Sequence, residues 1–385
     1  MKIAILSDSH LGFGRGTERK GDAEIAFKES IEKIIEKNVD AVIFVGDLFD
    51  TPIPSSESFI FAIRNIAKFA SIKNDVIVEN TIGKNRLQKF STMGIPFIAI
   101  HGNHERRSKG FENPVESIED IGFLIHLHLQ GIILKKDNER VAIQGMSYVP
   151  ERYAKDVLLK WNPKPIENCK NILMLHQSID RFIYSPLEPP TINLEDLPKG
   201  FDLILDGHIH KRETVSLGKT KFLICGSTVA TQTKNEGQKG FYILDTKTME
   251  LKFFELKNQR KIFIFDIEKN HDEAIKEHLR EILKNDYNMK PVIRFRLKGD
   301  FYFNEQEIAK FREKAIITIS KEIKRKNYKL DKLEENNLSI EEFGKKLLKK
   351  NAKNIDTDMI LDALMDENPF EKIYQKIGES IDKKS

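Results

Sequence analysis

Seven side chains able to ligate a metal follow directly on apolar runs: Asp8 and His10, Asp47, Asn103, His176, and His208 and His210. The runs Ile3–Leu6, Asp40–Val45, Phe97–Ile100, Asn171–Leu175 and Phe201–Leu205 read as buried strands. His104 stands next to Asn103 in the stretch Gly102-Asn103-His104-Glu105. In an extended chain, residues i and i+2 project to one side, so Asp8/His10 and His208/His210 can each present a pair. Gly46, Gly102 and Gly207 allow tight turns just before the ligands, and Asp47 can bridge two cations with its two oxygens. The set holds two carboxylates, one amide, four imidazoles and no cysteine. That mixture suits Mn²⁺ or Fe²⁺ and admits Zn²⁺ or Mg²⁺; a cysteine-rich structural zinc is excluded. Two ions about 3.5–4 Å apart would clamp a phosphate and generate hydroxide near neutral pH.

The elements that must position these residues read as alternating strands and helices, then a run of strands. Helices are expected at Ala23–Lys37, with Ile25, Phe27, Ile31, Ile34 and Ile35 on its apolar face, at 55–70, and at Asn113–Ile121. The 55–70 helix carries Phe59, Ile60, Phe61, Ile63 and Ile66, apolar over more than one face, and so wants a second cover such as another copy of the chain. A short helix is expected at Lys84–Phe90. Gly131–Leu134 and Val141–Gly145 read as paired strands around Asp137-Asn138, Lys221–Cys225 as a strand, and Gly240–Asp245 with Leu251–Leu256 as a hairpin. Two sheets packed together with helices outside fit this order. After 257–261 a small α+β unit follows: strands at Ile262–Ile267, Pro291–Lys298 and Ile316–Ile319, and helices at Asp272–Leu283 and Glu305–Lys314. Ser339-Ile340-Glu341-Glu342 is a capping box opening a helix, and a second helix starts near Thr357. Residues 330–385 are too few to bury two such faces without a partner.

The 40% hydrophobic fraction supports a real core, and the 32% charged fraction gives a densely charged surface. No apolar run reaches the length of a membrane span, and the N-terminus runs straight into Asp8 with no signal peptide. Cys169 and Cys225 argue for a reducing cytoplasm and against a disulfide framework. Net charge is only +4, so any nucleic-acid signal must be local.

Asp8-Ser9-His10, Gly46-Asp47, Gly102-Asn103-His104-Glu105, His176 and Gly207-His208-Ile209-His210 resemble the motifs of calcineurin-like metallophosphoesterases. Leu6-Ser7-Asp8-Ser9-His10-Leu11-Gly12, Gly46-Asp47-Leu48-Phe49, Met174-Leu175-His176-Gln177, Gly207-His208-Ile209-His210-Lys211-Arg212 and Gly226-Ser227-Thr228 narrow the likeness. They resemble the archaeal-type Mre-eleven/SbcD family, the nuclease subunit of a double-strand-break repair complex. The resemblance implies an α/β plus α+β architecture: a two-sheet β-sandwich core flanked by helices, a small α+β capping domain and C-terminal helices. It divides the chain into a nuclease domain at 1–258, a capping, DNA-binding domain at 259–328 and a partner-binding helical region at 329–385. It further implies that Asp8, His10, Asp47 and His210 hold one metal, and that Asp47, Asn103, His176 and His208 hold the second. His104 is then the catalytic histidine, assisting the leaving oxygen. The family prefers two Mn²⁺ per chain, dimerises through helices after the Gly-Asp motif (here 55–70) and binds a Rad-fifty/SbcC-type ATPase through C-terminal helices (here 339–366). Where some archaeal relatives carry a histidine three residues after the bridging aspartate, this chain has Asp50.

Basic residues flank the ligands. Arg15, Arg19 and Lys20 follow the first motif, Arg106, Arg107 and Lys109 the third, Lys211 and Arg212 the fifth. Arg294, Arg296 and Lys298 share one strand face opposite Phe295 and Leu297. The run Lys321–Lys329 is a further basic stretch. Such local sets can hold phosphates without large net charge, in a sequence-independent way. The remaining histidines read as structural: His101 on the far face of its strand, His126 and His128 as an i, i+2 pair without a preceding glycine turn, His271 and His278 on an exposed helix. The leading expectation is a Mn²⁺-dependent DNA exonuclease and endonuclease acting at broken ends. The alternatives are a phosphatase or phosphodiesterase of the same superfamily, or a mainly architectural DNA-end-bridging subunit.

Overall fold

Several of the strands preceding the ligands are apolar on both faces, and the fold buries both. The computed structural model describes residues 1–322, except 85–86, 109, 185–188, 233–236 and 299–304. In chain order the elements begin with β1 (Lys2–Leu6), α1 (Asp22–Glu36), β2 (Ala41–Val45), α2 (Ser56–Ala70), β3 (Ile77–Ile82) and β4 (Phe97–Ile100). Next come α3 (Pro114–Ile121), β5 (Ile125–His126), β6 (Gln130–Lys136), β7 (Glu139–Met146), α4 (Glu151–Trp161) and β8 (Lys170–Leu175). Then follow β9 (Leu203–Asp206), β10 (Glu213–Leu217), β11 (Thr220–Ile224), β12 (Gly240–Asp245) and β13 (Glu250–Glu255). The last are β14 (Ile262–Ile267), α5 (His271–Ile282), β15 (Val292–Lys298), α6 (Glu305–Ala309) and β16 (Ile316–Glu322).

Two sheets stack, one ordered β13-β12-β1-β2-β4-β5 and the other β10-β11-β9-β8-β7-β6-β3. Alternate residues of β1 and β2 go to opposite sides, as the strand period demands. Ile3, Ile5, Ile43 and Val45 pack between the sheets against Ile143, Ile172, Met174 and Leu205. Ala4, Leu6, Val42 and Phe44 face outward onto Phe27, Ile31, Ala62, Ile66 and Phe69 of α1 and α2. The second sheet is covered by α4 through Ala154 and Leu158. This is the expected two-sheet sandwich with outer helices. Strands β1, β2 and β4 run parallel, as do β7, β8, β9 and β11. Their carboxyl ends carry the ligand-bearing turns, where open α/β sheets place their sites.

The helix expected at Lys84–Phe90 is not found among the described residues. The region instead supplies β3, a half-polar edge strand pairing antiparallel with β6 across a bulge, and a short 3₁₀ turn at Lys89–Thr92. An edge strand with one open side need not be apolar, so its pattern is weak. Ile25 of α1 is 40% exposed and stands off the apolar face. Helix α3 begins as expected, with Asn113 and Glu116 forming a reciprocal capping box. Helix α6 is shorter than expected, ending at Ala309.

Beyond β13 a parallel three-stranded sheet, β14-β15-β16, packs against α5 through Ile275, Leu279, Ile293, Phe295 and Leu297. Arg260 fastens it to the sandwich, its Nε and Nη2 donating to Asp22 at 2.7–2.9 Å. His271 and His278 are not on an open surface. His271 is buried with Nε2 3.2 Å from the Lys298 carbonyl, and His278 stacks on Phe265 at 4.0 Å. Among the described residues no helix is long and apolar enough to cross a membrane. Cys169 and Cys225 are both free thiols. The helices expected within 339–366 lie outside the described residues, as does the basic run 321–329 apart from the backbone of its first two residues.

Candidate metal centre

The turns after β1 and β2 are laced together by their backbones. Asp8 N–H donates to the Gly46 carbonyl at 3.0 Å, and Ser9 and His10 N–H donate to the Asp47 carbonyl at 2.8 and 3.1 Å. The ligand residues themselves take left-handed backbone: φ is 52° at Asp8, 47° at His10, 55° at Asp47 and 69° at His208. Four non-glycine residues in that region store strain that only the surrounding packing can hold. The expectation of extended i, i+2 pairs is therefore corrected: Asp8 and His10 converge through a coiled turn. His208 and His210 separate, one to each of two clusters.

The first cluster joins Asp8, His10 and His210. The Nε2 atoms of His10 and His210 meet at 3.0 Å, and Asp8 Oδ1 lies 3.8 Å from His210 Nε2. The second joins Asp47, His176 and His208. Asn103 Oδ1 belongs to it, 2.9 Å from His208 Nδ1 and 3.3 Å from His176 Nε2. Asp47 stands between them through one oxygen. Its Oδ2 is 3.4 Å from His176 Nε2 and 3.9 Å from His10 Nε2, whereas Oδ1 accepts the His104 backbone N–H at 3.0 Å. Oδ2 is thus the oxygen turned toward both clusters, while Oδ1 is engaged by the backbone, so Asp47 does not present its two oxygens alike as the sequence suggested. Ligand-type nitrogens and carboxylate oxygens converging without an intervening donor is what a cation pair needs, so the residues fit divalent metals.

Each ring is oriented from behind. His176 Nδ1–H donates to the Val45 carbonyl at 2.7 Å, leaving Nε2 for the cluster. His104 Nδ1–H donates to the Asp50 carbonyl at 2.8 Å, and the His104 ring packs edge-on to His10, 4.7 Å away. Thr231 Oγ1 lies 3.1 Å from His210 Nδ1, and buried Lys239 donates to the His210 carbonyl at 3.0 Å. Gly46 has φ of 85°, and a Cβ there would fall within 3.0 Å of three His176 ring atoms. Gly102 and Gly207 need no left-handed backbone; a Cβ would strike Asp47 at the first and Val45 O, His176 and Ser7 at the second. Those two glycines serve close approach, not the turn.

Burial dominates the electrostatics. It raises Asp8 above the usual carboxylate range and lowers His208 to about 3. Burial would raise Asp47 too, but His176 beside it wins and holds it well below its ordinary value. The converse holds at His176: burial opposes its charge, yet Asp47 and Asp8 lift it to about 10. A metal-free site therefore holds a proton on His176 where a cation would sit.

Several contributors carried no sequence expectation of a role. Glu105 is fully buried; its oxygens accept from Phe49 N–H at 2.9 Å and Gly102 N–H at 2.8 Å, tying the β2 turn to the β4 turn. Burial, then Asp47, push its carboxyl up to about 7. Its place in Gly102-Asn103-His104-Glu105 was the available signal. Asp50 Oδ1 comes within 3.2 Å of His10 Nδ1. Tyr184 and Tyr148 stand 4.9 and 6.0 Å from the His208 ring; nothing in the sequence marks them.

The basic residues are scattered by comparison. Arg15 is exposed on the rim of a cavity of about 530 Å³ shared with Asp50 and Ser58. Arg106 and Lys211 are exposed. Arg107 lies over Phe111 at 4.9 Å. Arg19 is engaged with Asp22 and the Ala230 carbonyl. In β15, Arg296 is taken up by Asp266 at 2.7 Å, and Arg294 is half-buried on the same strand.

A family profile described as Calcineurin-like phosphoesterase matches residues 1–212. The DNA double-strand break repair protein Mre11 of Thermoplasma acidophilum is 29% identical over 328 residues, 80% of either chain. That of Sulfolobus acidocaldarius is 28% identical over 78% of this chain and 75% of its own. That of Methanococcus maripaludis is 30% identical over 64% and 63%. Among solved structures, a novel archaeal phosphodiesterase aligns at TM-score 0.33 and 16% identity over 66% of this chain and 100% of that one. The chain belongs to the calcineurin-like phosphoesterase family and is a metal-dependent hydrolase of phosphate esters.

Proposed function

We propose that this chain is a Mn²⁺-dependent DNA nuclease, both exonuclease and endonuclease, that processes ends in double-strand-break repair. The observation that carries the reading is the pair of ligand clusters meeting at Asp47 Oδ2 with His104 alongside; the similarity to the archaeal Mre11 proteins supplies the substrate class. Asp8, His10, Asp47 and His210 would hold one ion, and Asp47, Asn103, His176 and His208 the other. Two such ions would supply a hydroxide nucleophile and neutralise phosphate charge. His104, fixed through Nδ1 on the Asp50 carbonyl, keeps Nε2 to deliver a proton to the leaving oxygen. Arg15, Arg106, Arg107 and Lys211 would contact backbone phosphates near the ligands, with Arg294 and Arg296 further out; at Arg296 a phosphate must displace Asp266.

The same reading assigns 1–258 to the nuclease domain, 259–328 to a DNA-binding cap, and 329–385 to docking of a Rad-fifty/SbcC-type ATPase through 339–366. Homodimerisation would use α2, where Ile60 is 45% exposed and Phe61 and Ile63 are half-buried. The site of action is the cytoplasm. The test is Mn²⁺-dependent cleavage of single-stranded and end-labelled duplex DNA, with His104→Ala and His176→Ala as controls. Cleavage of both DNAs that both substitutions abolish is the expected result. Hydrolysis of a generic phosphodiester with neither DNA cut overturns the nuclease and leaves a phosphodiesterase.

A further inference from the structure

Three histidines outside the two clusters gather behind the turn that carries Asn103 and His104. His101 lies at the end of β4 and is 9% exposed; His126 in β5 is 4% exposed. Their rings are 5.2 Å apart, and His128 is 5.7 Å from His101. His101 Nδ1 and His126 Nε2 face each other at 3.0 Å. A Glu116 carboxylate oxygen from the first turn of α3 completes a set whose three donor atoms all lie within 4.8 Å of one another.

Hydrogen bonding does not account for the 3.0 Å approach of the two ring nitrogens. Ser147 Oγ is 2.9 Å from the Leu127 carbonyl, so its one hydrogen is committed there. Ser147 must then accept from its other neighbours, the His101 backbone N–H at 3.1 Å and His126 Nε2 at 3.2 Å. That makes His126 Nε2 a donor, also facing His101 Nδ1. The Asn113 amide Nδ2, 3.2 Å from the same His101 Nδ1, is a second donor. It is not interchangeable with an acceptor, because Asn113 Oδ1 already caps Val115 and Glu116 N–H at 2.9 and 3.0 Å. The one hydrogen on His126 Nε2 goes to Ser147 and His101 Nδ1 accepts from Asn113, so the two ring nitrogens meet at 3.0 Å with no hydrogen left to join them. Close by, His128 Nδ1 is buried with no hydrogen-bond partner. A cation held by His101 Nδ1 and His126 Nε2 would account for that approach, in place of the His126–Ser147 and Asn113–His101 hydrogen bonds.

We propose that His101, His126 and Glu116 form a third, structural metal site for a borderline divalent ion such as Zn²⁺ or Co²⁺. Two imidazoles and one carboxylate are a donor set for that class. Glu116 Oε2 accepts the Asn113 N–H at 3.0 Å in the capping box, leaving the other oxygen to turn toward the ion. The ion would staple the end of β4, the first turn of α3 and β5, and so brace the Asn103–His104 turn from the side away from the phosphoester chemistry.

The test is ion stoichiometry of the full chain, stripped with chelator, loaded with Co²⁺, desalted and measured by mass spectrometry. In Asp8→Asn/Asp47→Asn, which disables both clusters of the main site, one Co²⁺ per chain should remain, with absorption bands of nitrogen ligation. Adding His126→Gln should remove it. Glu116→Gln keeps an oxygen for the helix cap and should weaken that ion at least ~10-fold, which preserves the test if the His126 variant fails to fold. No ion in the Asp8→Asn/Asp47→Asn chain, or an ion held equally with Glu116 and His126 replaced, overturns the site. Neither outcome bears on whether the enzyme cuts DNA.

Discussion

Gly46→Ala tests whether the β2 turn and His176 are built as one unit. The substitution carries two costs. Alanine at φ of 85° is strained by about 1–2 kcal/mol. Its Cβ would also come within 3.0 Å of three atoms of the buried His176 ring, an overpacking cost of about 1–3 kcal/mol. Gly218 supplies the control. Its φ is 64°, but a Cβ there meets nothing within 4 Å, so Gly218→Ala carries only the first cost. The denaturant midpoints of the two variants, compared at equal slope in metal-free buffer, should therefore differ by about 1–3 kcal/mol, with Gly46→Ala the weaker. Displacing the ring also loosens its bond to the Val45 carbonyl, so Mn²⁺ affinity by calorimetry should fall about 10–100-fold in Gly46→Ala alone. Equal stability and equal Mn²⁺ affinity in the two variants would refute the packing argument.

Three further outcomes follow from the same geometry. His104→Ala keeps the backbone N–H that holds Asp47 Oδ1, so it should lower kcat about 10²–10⁴-fold with both ions bound, whereas Asn103→Ala should lower ion occupancy; a loss of ions in His104→Ala counts against the division. His176 is lifted to about 10 in the metal-free chain, so its proton is held from pH 7 to 9 and must leave when a cation binds; loading in weakly buffered solution at pH 8 should release about one proton per chain through this group, and a pH-stat trace showing none would contradict it. Arg260→Ala removes one of the two guanidinium partners of Asp22, which is 4% exposed and keeps Arg19 at 3.1 Å, and should cost about 1.5–3 kcal/mol; limited proteolysis should then cut first near 257–262, and an unchanged digestion pattern would count against Arg260 as the fastener.

The legible part of this protein was the part written in local pattern. β1, β2, β4 and β8 are short apolar runs bounded by polar turns, and their expected bounds fall within one residue of those observed. They could be read because a strand buried on both faces needs apolar residues at every position. Strand β3 could not be read, because an edge strand makes no such demand. His271 was placed in solvent because a helix pattern does not tell which polar residue the next strand will cover; the Lys298 carbonyl does that across 27 residues.

Local pattern was enough to show which atoms were available: a hard-to-borderline donor set, each group delivered at a strand end. Spacing alone did not say how those groups divide; the family resemblance assigned His210 to one ion and His208 to the other. That Asp8 and His10 converge through a coiled turn, that Asp47 turns a single oxygen between the clusters, and that Glu105 ties two turns together came from tertiary structure. The reason is backbone conformation. Asp8, His10, Asp47 and His208 adopt left-handed φ that an isolated chain would avoid, and only the face-to-face packing of the two sheets holds them there.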